Sequence, residues 1–247
     1  MNAVEAYDDA QVASLRSGDL AGCFGEMFEG LGLHDPLRLP TGRMQLFDRV
    51  IELNPTGGRF GLGMIRAEAD VHPDDWFLTC HFIDDQTMPG TLMYECCVHA
   101  LRFYLLRMGW VGEQAGVCYQ PIPVMPSALK CRGPVTPASR KVIYQVEIKE
   151  IGYRPEPYVI ADALMFADGR RIVQMKNMSL RLTGMTREGI ERVWAGRKVK
   201  MSNSQNVKTG EREGCAIAWQ SAETDAAAGI PISPAATRRG DARSAVR

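Results

Sequence analysis

Apolar positions along the chain follow a helical period in some stretches and alternate in others, and the changes of period mark out its elements. Residues 10–31, "AQVASLRSGDLAGCFGEMFEGL", carry helical spacing broken at Gly18 and Gly22, with Ser17 and Asp19 as capping candidates, and read as one or two short helices. Two prolines and a glycine in "HDPLRLPTGR" then predict an extended link. The turn "NPTGG" separates residues 44–53 from 59–71. Alternation through Leu62, Met64 and Ile65 predicts either a strand pair or a short helix and a strand there. Residues 90–108 form the strong helix of the middle region. Its apolar side chains, from Leu92 and Met93 to Leu105 and Leu106, spread around much of the circumference, as in a helix covered on several sides.

Strand-like runs follow at 128–135, 141–151, 158–168 and 170–184, with "ADGR" at 167–170 as a hairpin turn whose Asp-Gly supplies positive φ. One long apolar helix followed by a meander of strands predicts an α+β fold, an antiparallel sheet wrapped on the helix. Beyond Trp194 the pattern dissolves into Ser, Ala, Gly, Pro and charge, with little to bury. The expected division is 1–41 as an N-terminal helical extension and linker, 42–194 as the globular domain, and 195–247 as a disordered tail or linker. A chain of 247 residues suits one domain with such flanks.

Charge and cysteine usage narrow the partners. The 29 basic and 29 acidic residues cancel, so no net field draws the chain to nucleic acid or an anionic membrane. The basic residues Arg238, Arg239, Arg243 and Arg247 read as a solvated end. Seven scattered cysteines, two of them adjacent, indicate reduced thiols and hence a cytoplasmic protein. "MNAVEAYDDA" lacks the apolar core of a secretion signal, and no apolar run approaches the ~18 residues that span a bilayer.

Within the long helix stands Glu95, whose burial would cost several kcal/mol unless the carboxyl is paired, hydrogen-bonded or neutralised. An ion pair with Arg102 or Arg107 is the structural explanation. A catalytic one comes from the residues just ahead. His81 precedes the turn that opens the helix, Pro89 suits the first helical position, and the N–H of Gly90 lies where no side chain blocks a ligand. Base, carboxylic acid and a donor for a carbonyl oxygen that gains charge are what removal of a proton alpha to a thioester and loss of a beta-hydroxyl require. Other constellations fall short. Glu95 and His99 share a helical face but lack the HExxH spacing, so no metal site is expected. His99 reads as a packing or hydrogen-bonding residue, and Cys96 and Cys97 as apolar fillers. "GGRFGLG" at 57–63 lacks the order of a dinucleotide fingerprint, and no G-x-S-x-G elbow is present.

"HFIDDQTMPGTLMYE" at 81–95 resembles the "HF…D…MPG…(D/E)" segment of the hotdog-fold beta-hydroxyacyl-ACP dehydratases. The likeness is to the beta-hydroxydecanoyl dehydratase type and the dehydratase domains of polyunsaturated fatty acid synthases. It extends over residues ~43–184, since "LKCRGPVTPASRKVIYQVEIKEI" and "ADALMFADGRRIV" also follow that family's strands. The common "GDPVMPG" reads "DDQTMPG" here, with Asp84, Gln86 and Thr87 as the departures. The resemblance implies a long central helix wrapped by a curved antiparallel sheet, no metal and no organic cofactor. It also implies a substrate borne on acyl carrier protein and a homodimer that shares its sites. By position, His81 falls on the base, Glu95 on the carboxylate that assists departure of the hydroxyl, and Gly90 on the donor to the thioester oxygen. Thr87 falls on the residue whose carbonyl orients the histidine, and Phe82 and Pro89 join it in orienting ring or substrate. Glu95 in place of Asp resembles the dehydratase-only branch. A hotdog thioesterase and a non-catalytic acyl-binding module are the rival readings.

Overall fold

The computed structural model describes residues 4–33, 35–82, 84–112 and 114–204. In chain order these give β1 (Glu5–Tyr7), α1 (Asp9–Ser17), α2 (Leu20–Phe24), β2 (Arg49–Asn54), β3 (Met64–Asp70), α3 (Trp76–Cys80) and α4 (Gly90–Arg107). They continue with β4 (Cys118–Gln120), β5 (Ala128–Cys131), β6 (Lys141–Gly152), β7 (Tyr158–Ala167), β8 (Arg170–Thr183) and α5 (Arg187–Ser204). The strands form one antiparallel sheet in the order β1-β2-β3-β6-β7-β8-β4, with β5 also pairing β8.

The helix α4 forms the axis. Cys96, Cys97, Ala100, Leu101, Phe103 and Leu106 are fully buried on it, which explains the apolar composition around its whole girth. Alternation along the long strands supplies the facing layer: Val142, Tyr144, Val146 and Ile148 of β6 and Val159, Ala161, Ala163 and Met165 of β7 all point to the core. Burial of each large apolar side chain contributes about 1.5–3 kcal/mol, so this layer fixes which face of the sheet meets α4. The β7–β8 hairpin turns on Asp168 (φ 47) and Gly169 (φ 80), the paired positive φ values of the tight turn expected there. A long helix wrapped by a curved antiparallel sheet is the hotdog fold.

The segment expected as an extension is woven into this core. The strand β1 pairs β2 at the sheet edge, and α1 starts with a capping box between Asp8 and Gln11. Phe24 packs edge-on against Tyr7 and Phe103, with ring centroids 5.4 and 5.2 Å apart. Leu15, Phe28, Leu37 and Leu39 are buried, so packing is continuous across the 41/42 boundary. The boundary expected at 194/195 falls inside α5. Its Trp194 is buried, donates from Nε1 to the Gly109 carbonyl at 2.8 Å and meets Phe28 edge-on at 5.1 Å. Of the expected tail, residues 205–247 lie outside the described residues.

Candidate active site

His81 is the residue at which α3 ends, and a reciprocal pair of bonds ties it to Thr87 ahead of α4. The Thr87 N–H donates to the His81 carbonyl at 3.0 Å, and His81 Nδ1 lies 3.0 Å from the Thr87 carbonyl oxygen. A carbonyl only accepts, so in the neutral ring this contact places the proton on Nδ1 and the lone pair on Nε2. The Met88 N–H donates to the Val135 carbonyl at 3.0 Å, pinning the loop to the strand side of the molecule. Phe82 lies beside the imidazole with ring centroids 4.1 Å apart and planes tilted by 30°, and its side chain is 61% exposed.

Pro89 occupies the N-cap of α4 (φ −57, ψ 137) and Gly90 is the first helical residue. This is one position off the expectation that Pro89 opens the helix. The physical cause is Pro89's extended ψ, which leaves the first helical place to Gly90. No side chain caps this helix start, and no acidic residue lies in its first turn. Its first N–H groups therefore have no side-chain acceptor, and the positive end of its dipole lies there. A Cβ on Gly90 would meet Leu129 Cδ2 at 3.5 Å and Cys131 Sγ at 3.6 Å, ordinary contact distances. The protein itself thus has room for alanine at 90. Gly90→Ala should leave the melting temperature within about 2 °C, and because alanine keeps the backbone N–H, a loss of turnover would report crowding of the substrate by the new methyl group. Thermal melts beside steady-state kinetics check this; a melting temperature lowered by more than about 5 °C would contradict the room at 90.

Glu95 lies five residues further, about 7.5 Å along the axis. Its side chain is 40% exposed in the single chain, which corrects the expectation of a buried carboxylate. The girth of α4 is not covered evenly: His99, one turn on, takes the fully buried position and Glu95 stays at the wet margin. Glu95 Oε1 sits 3.0 Å from His99 Nε2. His99 beside it holds the Glu95 carboxyl below the usual carboxylate range, partial burial works the other way, and Arg102 adds to the lowering. The expected ion-pair partner Arg107 instead binds Glu5, with Nη2 to Oε1 at 2.6 Å. Among the described residues no hydrogen bond or ion pair joins His81 to Glu95, so the structure gathers His81, Phe82 and Thr87 with Pro89 and Gly90 at the helix start and ties Glu95 to His99. Leu129 and Cys131 of β5, beside Gly90, were not singled out in the sequence, because strand-to-helix proximity leaves no local signal. Among the described residues no three His, Cys, Asp or Glu side chains are grouped to hold a metal ion.

A model of the FabA-like domain matches residues 39–176, more than half of the chain. The chain belongs to the FabA-like domain family. One relative is a component of the polyunsaturated fatty acid synthase of Thraustochytrium sp., 35% identical over 127 residues, which are 51% of this chain and 8% of that protein. The chain therefore spans a small part of that relative's length. Among solved structures, the dehydratase heterocomplex ApeI:P from Xenorhabdus doucetiae superposes with a TM-score of 0.43 at 14% identity, covering 64% of this chain and 95% of that one. A hypothetical thioesterase with coenzyme A from Streptococcus pneumoniae gives 0.36 at 10% identity, covering 55% and 90%.

Proposed function

We propose that this FabA-like chain removes water from beta-hydroxyacyl thioesters carried on acyl carrier protein, giving trans-2-enoyl thioesters for fatty acid or polyketide synthesis. The observation that carries the reading is the Thr87 carbonyl on His81 Nδ1, which in the neutral ring leaves the lone pair on Nε2, a few residues ahead of an uncapped helix start. His81 Nε2 takes the proton from the α carbon. The electron pair moves toward the thioester oxygen, where the Gly90 N–H receives the growing charge. As the carbonyl re-forms, the β C–O bond breaks and the departing hydroxyl takes a proton from Glu95, leaving as water. Solvent then returns the proton from His81 to the acid side. No step calls on a metal or an organic cofactor, so extended dialysis against a chelator should leave turnover unchanged.

Six unpaired cysteines among the described residues suit a reducing compartment, for which we take the cytoplasm. No described helix is long and apolar enough to cross a membrane. The test is incubation with beta-hydroxyacyl and enoyl pantetheine thioesters of several chain lengths, following interconversion by mass and free thiol by colour. Interconversion without thiol supports dehydration; thiol release would make the chain a thioesterase, and binding without turnover an acyl-binding module.

The working unit in this reading is a homodimer. All four residues of β5 are exposed and, among the described residues, the strand pairs only β8, so it offers an open edge beside Gly90. Open edges invite pairing, and in the dimer of this reading His81 of one chain works with Glu95 of the other across a two-fold axis. Mixing inactive His81→Ala chains with inactive Glu95→Gln chains under conditions that exchange protomers should restore roughly a quarter of wild-type activity, since each mixed dimer carries one site with both lesions and one with neither. Verified exchange with activity at background would mean that each site is built within one chain.

A further inference from the structure

On one face of α4 stand Thr91, Tyr94, Glu95, Val98 and Arg102, exposed or half-buried at helical spacing, while the other residues of the helix after Gly90 are buried. Past Glu95 this stripe is apolar at Val98 and ends at Arg102. The segment that leads from β4 into β5 runs beside it in the opposite direction. Tyr119 of β4 lies under the Arg102 guanidinium, 5.7 Å from it, and the side chains of Tyr94 and Ser127 are within hydrogen-bonding reach. Leu129 and Cys131 of β5 then flank the place a Cβ would take on Gly90. The first two ties are eight residues apart on α4, about 12 Å along its axis, and Val98 stands midway between them.

Between those ties the segment reads "QPIPVMP". The Met125 N–H donates to the Ile122 carbonyl at 3.4 Å, a turn that brings these two residues together and leaves Val124 fully exposed at φ 63. The Ile122 N–H donates to the hydroxyl of the buried Ser179 at 3.3 Å, which anchors the turn to β8, and three prolines stiffen it. Ile122 and Met125 are half-buried yet lie outside the core packing. With Val98 they give the strip beyond Glu95 the apolar walls that suit a hydrocarbon chain.

The far end of the strip is closed by residues from well outside the strands. Arg102 donates from Nη2 to the Arg38 carbonyl at 2.5 Å. Arg38 follows the single turn Asp35–Leu37, which lies against β4, and Leu37 and Leu39 are buried on either side of it. Tyr119 is held in turn by its hydroxyl, which donates to the Trp110 carbonyl at 2.6 Å. Residues 35–38 precede the FabA-like match at 39–176.

We propose that this N-terminal segment is the chain-length stop of the site: the acyl chain runs from Glu95 past Val98 and ends against Arg102, which the Arg38 carbonyl and the Tyr119 ring hold across its path. The inference rests on the dehydratase reading, which puts the β carbon at Glu95. It holds whether His81 comes from the same chain or from its partner, because the strip belongs to the helix that carries Glu95. From Glu95 to Arg102 is about 10 Å along the axis, the span of roughly eight bonds of an extended chain at about 1.2 Å each. A chain of about ten carbons therefore fills the strip. A much longer one meets a guanidinium that it would have to strip of its polar partners.

The full chain is assayed with beta-hydroxyacyl pantetheine thioesters of four, ten and sixteen carbons. In wild type, kcat/KM should be highest at ten. Val98→Phe fills the strip and should lower the ten-to-four ratio of kcat/KM at least about 10-fold. Arg102→Ala opens the stop and should raise the sixteen-to-ten ratio at least about 10-fold. A smaller change of either ratio, or a wild-type optimum at sixteen carbons, would overturn the proposal. If Arg102→Ala does not fold, Arg102→Met, which keeps the apolar stem and loses the guanidinium, is read in its place. Alkyl pantetheine thioethers of the same three lengths, which cannot be dehydrated, separate the stop from the reaction. Their affinities by calorimetry should follow the same order of lengths in wild type and in both variants. Binding in that order without dehydration of the thioesters would refute the dehydratase reading and leave the stop standing. Dehydration with ratios and affinities that the variants do not move would refute the stop and leave the reading.

Discussion

His81→Ala should lose at least about 10²-fold in turnover while keeping its melting temperature, because it removes the proposed base and little packing. The imidazole is held by the Thr87 carbonyl on Nδ1 and flanked by an exposed Phe82 ring. Its loss leaves the Thr87 N–H to His81 carbonyl bond intact, since that bond is backbone to backbone. The loop therefore keeps its shape, and the lost activity reports chemistry. His81→Gln sharpens the comparison: its amide can still donate to the Thr87 carbonyl but offers no basic nitrogen, so it should be as inactive as alanine. Steady-state kinetics with circular dichroism checks both variants. A folded His81→Ala with near-normal turnover would remove His81 as the base.

Gly63→Ala should destabilise the protein by about 3 kcal/mol, lowering the melting temperature by roughly 6–12 °C for a chain of this size. Gly63 has φ 124, a backbone region that residues with a Cβ rarely adopt, and an added Cβ would fall 1.9 Å from the Tyr104 hydroxyl. Tyr104 belongs to α4, is almost fully buried, and donates its hydroxyl to the Leu62 carbonyl at 3.2 Å. Neither partner can yield easily. The ring is packed in the core, and Arg59 fastens the loop by reaching Glu147 and, at 3.4 Å, Asp162. Adding Tyr104→Phe to Gly63→Ala removes the clashing oxygen and should recover about 1 kcal/mol or more relative to the two single changes summed. Thermal melts of the four proteins measure this, and a Gly63→Ala protein melting within about 2 °C of wild type would contradict the contact.

The parts of this fold that could be read from the residues are those in which a long period repeats. The helix expected at 90–108 is α4 (Gly90–Arg107), and the four later strand runs appear as β5 to β8. Alternation over many residues survives any single exception, and Asp168-Gly169 fixes its own turn. The short elements left no such record. The three-residue strands β1 and β4 and the single-turn α3 are set by what they pair with or pack on, and Trp194 looked like the end of the pattern although Phe28 and Gly109 lie waiting for it. At the site, His81, Thr87 and Gly90 stand close in sequence and could be read as a group. Glu95 misled, because composition averages over the whole girth of α4 while exposure depends on one face. His99 drew notice only as a packing or hydrogen-bonding residue, since four-residue spacing shows that two side chains share a face and not how deeply each is buried.

The most direct test of the central claim is the hydration of a trans-2-enoyl pantetheine thioester in D2O, read by mass and NMR at the α carbon. The account predicts one non-exchanging deuteron on that carbon in the beta-hydroxyacyl product, delivered by His81 and absent with His81→Ala, and no free thiol. Recovery of the enoyl thioester unchanged by folded wild-type protein, or its conversion to free acid and thiol, would contradict it.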